Sequence, residues 1–214
     1  MISFTIGQST YNGEAGQTFA DWVESKYNTD GFELDNDNEL IDANSSPCYN
    51  SRYNRIKSTD TIVEDGVYQV IPYTDLSLFT INIDSSNIAY ITGYSTCNDT
   101  IINIPKEYNG AIIERISGQV SMSVSWPNVI KVIIPDTITT IAQYMFRGTA
   151  NTTKLNTAKL PNNFTPQNIF NLCNDLTDIY IDAPKGSISY SGYPRWGAPS
   201  GVVVHWSDED EILT

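Results

Sequence analysis

The chain has 214 residues, 40% of them aliphatic or aromatic, enough to bury a core in one large domain or two small ones. Its 25 acids outweigh 12 bases for a formal charge of −13, with no basic run, so nucleic-acid binding is excluded and anionic membranes are disfavoured. No segment has the apolar length of a membrane span, and an abundance of Asn, Thr, Ser, Ile and Tyr favours strands and polar turns over long surface helices.

Ile2, Phe4 and Ile6 alternate with polar partners and predict a strand over residues 2–6, with a return strand near Thr10–Tyr11 after a glycine turn. The N-terminus has neither a basic segment nor a long apolar core, so it does not read as a signal peptide. Thr18 opens the capping box T-F-A-D with Asp21, and Phe19, Trp22 and Val23 then share one face of a short helix running to about Lys26. Residues 34–58 are Asn-rich and read as loop and turn with one short strand. Within them, D-N-D-N-E-L-I-D gathers Asp35, Asp37, Glu39 and Asp42, whose oxygens suit Ca²⁺. An EF-hand loop needs Gly at its sixth position and Glu at its twelfth, where Leu40 and Ser46 stand, so a solvated acidic loop is expected. Strand character returns over residues 59–92, broken by the turn signal Asp65-Gly66.

From about Asn87 one phrase repeats. Ile102 and Ile104 alternate before Pro105; Val132 and Ile134 before Pro135; Leu160 precedes Pro161; Ile179 and Ile181 precede Pro184. A short strand ended by proline every 20 to 30 residues is a solenoid signal, because proline ends ladder pairing as the chain leaves the sheet. Ile138, Ile141, Met145 and Phe146, then Phe164, Ile169, Phe170 and Leu172, supply the apolar face of a short helix or turn after each strand. A plain β-sandwich explains the alternation but not this repeated order.

At these residues the sequence resembles the BspA-type leucine-rich repeats, whose units run close to L-x-x-I-x-I-P-x-x-I-x-x-I-x-x-x-A-F. "VIKVIIPDTITTIAQYMF" matches, with Met145 where the family usually has Ala; "TKLNTAKLPNNFTPQNIF" departs most, with a weak strand and a second proline, Pro166. The N-terminal "ISFTIGQSTYNGEAGQTFADWVESKYN" resembles virion and tail-associated proteins of phages infecting gut bacteria, matching at Phe4, Tyr11, Phe19 and Trp22 among others. Together these imply an α+β, mostly β protein: a β-hairpin/helix module over residues 1–86, a repeat array over 87–206, and an acidic tail over 207–214 that stays mobile unless a neighbour holds it.

The functional expectation is a noncatalytic virion protein, a fibre, spike or decoration subunit made in a bacterial cytoplasm and needing no cofactor. Phe4, Tyr11, Phe19 and Trp22 mark the module that docks to other virion proteins, and the array presents a surface to a host glycan or protein. A homotrimer is expected, since fibres are commonly symmetric. Tyr190, Tyr193 and Trp196 form an aromatic group that could stack on sugars, although Trp196 reads rather as a cap on the open end of the array. A bacterial adhesin and a tail-borne glycan depolymerase are the alternatives. His205, the sole histidine, lies in the apolar run G-V-V-V-H-W and reads as a strand-face residue of the last rung. No G-x-S-x-G, P-loop or G-x-G-x-x-G pattern occurs, and Cys48, Cys97 and Cys173 are too few and scattered for a disulfide framework or zinc knuckle.

Overall fold

A computed structural model describes residues 1–117, 120–121, 125–148, 154–165, 167–189 and 194–214. The chain divides into two compact units, Met1–Tyr73 and Thr74–Thr214, so residues 74–86 belong with the array rather than with the N-terminal module.

The first unit contains β1 (Ile2–Ile6), β2 (Ser9–Gly13), α1 (Phe19–Val23), β3 (Glu33–Leu34), β4 (Leu40–Ile41), β5 (Cys48–Tyr49) and β6 (Gly66–Val70). β1 and β2 form a hairpin, β6 runs parallel to β1, and β5 completes a sheet of order β2-β1-β6-β5. The single helical turn starts as the sequence suggests: Thr18 Oγ1 accepts from the Asp21 N–H at 3.2 Å. Asp21 reaches back to the Thr18 hydroxyl, from which it accepts at 2.8 Å. Phe4, Tyr11, Phe19, Trp22, Phe32 and Tyr68 pack mostly edge-to-face between the sheet and this turn, as their ring quadrupoles prefer.

The Asn-rich stretch holds more strand than expected, and the reason is local. Asp35, Asp42 and Asn50 each open a tight hairpin turn, and each side-chain oxygen accepts from the N–H groups two and four residues on, at 2.7–3.1 Å. The residue three positions on takes a left-handed conformation: Asn38 at φ 58°, Ser45 at φ 61°, Tyr53 at φ 60°. Asp84 builds the same turn in the second unit, with Asn87 at φ 59°. An Asp or Asn that satisfies two turn amides replaces the glycine such turns ordinarily need.

The second unit contains β7 (Phe79–Ile83), β8 (Ile88–Tyr94), β9 (Ile101–Asn103), β10 (Glu107–Tyr108), β11 (Ala111–Ile116), β12 (Val120–Ser121), β13 (Lys131–Ile133), β14 (Thr140–Ile141), β15 (Phe146–Arg147), β16 (Thr157–Leu160), β17 (Asp178–Ile181), β18 (Val203–His205) and β19 (Asp210–Ile212). β9, β13, β16, β17 and β18 pair in parallel, in chain order and in register, so the chain climbs one strand spacing per coil through about four coils. The prolines sit just beyond β9, β13, β16 and β17, where the chain leaves this sheet. Parallel pairs β8–β11–β14 and β12–β15 mark two further sides of the coil.

Ile102, Val132, Ala158, Ile179 and Val204 share one register position and all point inward at 0% exposure. An aromatic file runs beside them: Tyr94 to Trp126 at 5.4 Å, Trp126 to Phe146 at 6.4 Å, and Phe146 stacked on Phe170 at 5.9 Å. One continuous core results, with no coil able to bury its apolar side alone.

Of the short helix or turn expected after each proline, the described residues of this unit show turns and short strands, and no α-helix. Thr139 N donates to Glu114 O and Ala142 N to Ile116 O, both in the coil below, instead of closing helical bonds. A β-branched run, Thr137 to Ile141, favours that extended path. The atypical unit around β16 also forms a full rung paired on both sides, with Ala158 at its inward position; Pro166 lies outside the described residues.

The acidic tail is held. β19 turns back antiparallel on β18, with Leu213 buried, so the last rung carries a covering strand. At the other end of the coil, β7 pairs antiparallel with β8.

Candidate binding face

A parallel sheet points alternate residues to opposite faces, so the inward ladder defines an outward one. Ile101, Lys131, Thr157, Asp178 and Val203 share a register position along the outward face, all half-buried, and Ile212 of β19 extends the row at 65% exposure. These side chains lie about 4.8 Å apart on a rigid support. The row changes character along its length: apolar at Ile101, cationic at Lys131, polar at Thr157, anionic at Asp178, apolar again beyond.

A second outward row holds Asn103, Ile133, Lys159, Tyr180 and His205. Its first three members are buried. Lys159 Nζ donates to Leu160 O at 2.9 Å and pairs with Asp136 at 3.5 Å. Burial lowers its pKa, against the raising influence of Asp136 and Asp182. His205 is on the strand face, as its place in the sequence suggests. Its ring stacks on Tyr180 at 4.3 Å between centroids, and both ring nitrogens lie 2.9 Å from a carboxylate oxygen, Nε2 from Asp178 and Nδ1 from Asp210. Burial pushes the Asp178 carboxyl up, but hydrogen bonds from His205 and Thr177 more than reverse this and leave it below the usual range.

Of the three aromatics singled out from sequence, Trp196 is 0% exposed, packed on Phe164 and Trp206, and its indole donates to Ser189 O at 3.4 Å. It serves the core and not a sugar platform; Tyr190 and Tyr193 lie outside the described residues. Phe4, Tyr11, Phe19 and Trp22 are at most 6% exposed, so they hold the first unit together and cannot themselves touch a partner.

Asp35, Asp37 and Glu39 do converge, their oxygens within 4.8 Å of one another. Arg55 supplies the positive charge there, 3.1 Å from Asp35 and 3.3 Å from Glu39. The three cysteines are buried and unpaired, and burial pushes the Cys48 and Cys173 thiols up to about 12, which removes their nucleophilic form at neutral pH.

Apart from Val203, the members of the outward row stand at an x position of the strand-then-proline phrase, where the apolar alternation carries no information. The signal was the register itself.

No protein-family model and no curated protein matches the chain. Two solved structures are similar to it in part. One is a leucine-rich cell surface protein from Faecalibacterium prausnitzii A2-165, 22% identical over 64% of this chain and 42% of that one, with a TM-score of 0.39. The other is a leucine-rich-repeat protein of T. pallidum, 14% identical over 62% of this chain and 70% of that one, with a TM-score of 0.34. The matched region thus spans less than half of the F. prausnitzii protein.

Proposed function

We propose that the protein is a noncatalytic, adhesin-like binding protein whose second unit presents the outward row Ile101–Lys131–Thr157–Asp178–Val203 to an extended glycan or polypeptide at a cell surface. The observation that carries this reading is the register: five parallel strands offer five differing side chains at one fixed spacing. Substituting Thr157 with Arg at the centre of the row tests it. Binding of the full chain to intact bacterial cells or arrayed glycans is expected to fall at least about tenfold, since a long cation there blocks close approach. Thr140→Arg, exposed on another side of the coil, is expected to leave binding unchanged. Equal effects of both substitutions, or of neither, would remove the row from the account.

The finer reading places the protein on a phage particle, with the first unit attaching to other virion proteins and sister subunits in a homotrimer. It rests on the resemblance of the first 27 or so residues. Because the matching aromatics are core residues, that resemblance concerns the module's fold, and attachment falls to its exposed side chains. Deleting residues 1–60 is expected to leave purified particles without the protein; normal incorporation would refute the reading.

A further inference from the structure

β19 is fastened by side chains as well as by its ladder. Gly201 N donates to Leu213 O at 2.7 Å and Leu213 N to Val202 O at 2.9 Å. Trp206 Nε1 donates to Glu211 at 3.0 Å, Lys185 pairs with Glu209 at 3.2 Å, and Arg195 donates to the Thr214 carbonyl. The bond that joins three successive strands is the one at His205, which reaches Asp178 of β17 on one side and Asp210 of β19 on the other.

An imidazole can donate from both nitrogens only as the imidazolium. The charged and titratable groups facing the ring are Asp178 and Tyr180 from β17 and Asp210 from β19; Lys159 stands one strand further along the row beside Asp136. When the ring is neutral it donates to one carboxylate and turns a lone pair toward the other. It then keeps Asp178, whose side chain is 34% exposed against 59% for Asp210 and which Thr177 also binds, because an unpaired carboxylate costs more where water is scarcer. Asp210 is the one released.

We propose that His205, Asp178 and Asp210 form a proton-operated latch that fastens the covering strand β19 to the end of the solenoid when His205 is protonated and loosens it when His205 is neutral. The fastened form shields the edge of the last rung. The loosened form frees that edge to pair with another strand, the ordinary behaviour of an uncovered sheet edge.

Amide hydrogen exchange of the full chain, followed as the pH is raised from acid to alkaline, tests this after correction for intrinsic exchange. Protection of Gly201 and Leu213 is expected to fall by about fivefold as His205 loses its proton, the scale of one partly exposed charged hydrogen bond. Protection of β13 and β16 amides stays level, which separates release of β19 from general unfolding. In Asp178→Asn the neutral ring accepts from the new carboxamide N–H while still donating to Asp210, so the step disappears and β19 stays protected throughout. A pH-independent wild type, or a step that persists in Asp178→Asn, would overturn the latch. Should that variant not fold, the wild-type titration alone decides.

Discussion

Replacing Ile179 by alanine probes the stack at a fully enclosed point. Ile179 is 0% exposed on β17, with Ala158 and Val204 as its inward neighbours in the rungs on either side. The change deletes three carbons, about 2.4 kcal/mol at roughly 0.8 kcal/mol per buried methylene. The cavity left beside Ala158 adds to this, because that neighbour has no side chain long enough to fill it, so the total is about 3 kcal/mol. Such a loss raises the opening equilibrium roughly a hundredfold, read as faster exchange at Thr177 and Val203, whose amides bond across to neighbouring coils. Because each coil is stabilised by the next, exchange is expected to quicken in β16 and β18 too, more than in β9. Ile112→Ala, at a residue 44% exposed, serves as the control and costs less than about 0.5 kcal/mol. If Ile179→Ala costs no more than Ile112→Ala, the coils do not share a core and the reasoning fails.

Thr18→Ala removes the oxygen that caps the first helical turn and is expected to destabilise the first unit by about 1 kcal/mol in urea unfolding, leaving the second unit unchanged. Asp178 has a depressed carboxyl, so its contribution is complete above the ordinary carboxylate value of about 3.9 and is lost as the pH falls through the folded value. Acid unfolding of the second unit should therefore shift to lower stability below about pH 4, and Asp178→Asn should flatten that limb. Lys159→Met exchanges a buried cation for an apolar chain of similar length; it is expected to be neutral or stabilising in thermal melts, since the ion pair with Asp136 barely offsets the loss of hydration.

Much of the second unit was legible because its rungs combine two independent signals, period-two alternation and a proline at the exit. The alternation thus marks Ile102, Ile104, Val132, Ile134, Ile179 and Ile181 as inward, and all six are buried. The side after each proline was harder to read. Ile138, Ile141, Met145 and Phe146 have the spacing of one helical face, and three short sides of a coil bury the same residues equally well. Only bonds to the coil below decide between them, and those are long-range. The Asn-rich stretch is mostly loop and turn, as it reads, but its additional strands were hidden for the opposite reason. Its strands are two residues long, too short for alternation, and are defined by Asp35, Asp42 and Asn50 holding turn amides. The aromatics of the first unit carried a recognisable pattern whose physical content is burial, so their use as contact residues did not follow from it.

The central claim, a stack of in-register coils presenting one ordered row, is tested most directly by cross-linking. Adjacent parallel strands lie about 4.8 Å apart, within disulfide reach, whereas second neighbours at about 9.6 Å are not. Cysteines at Lys131 and Thr157, which pair directly, are expected to oxidise to a disulfide, and the wild-type cysteines stay buried and unreactive. Cysteines at Lys131 and Asp178, two strands apart, are expected to remain reduced under the same oxidant. A disulfide in the second pair but not the first would contradict the stack.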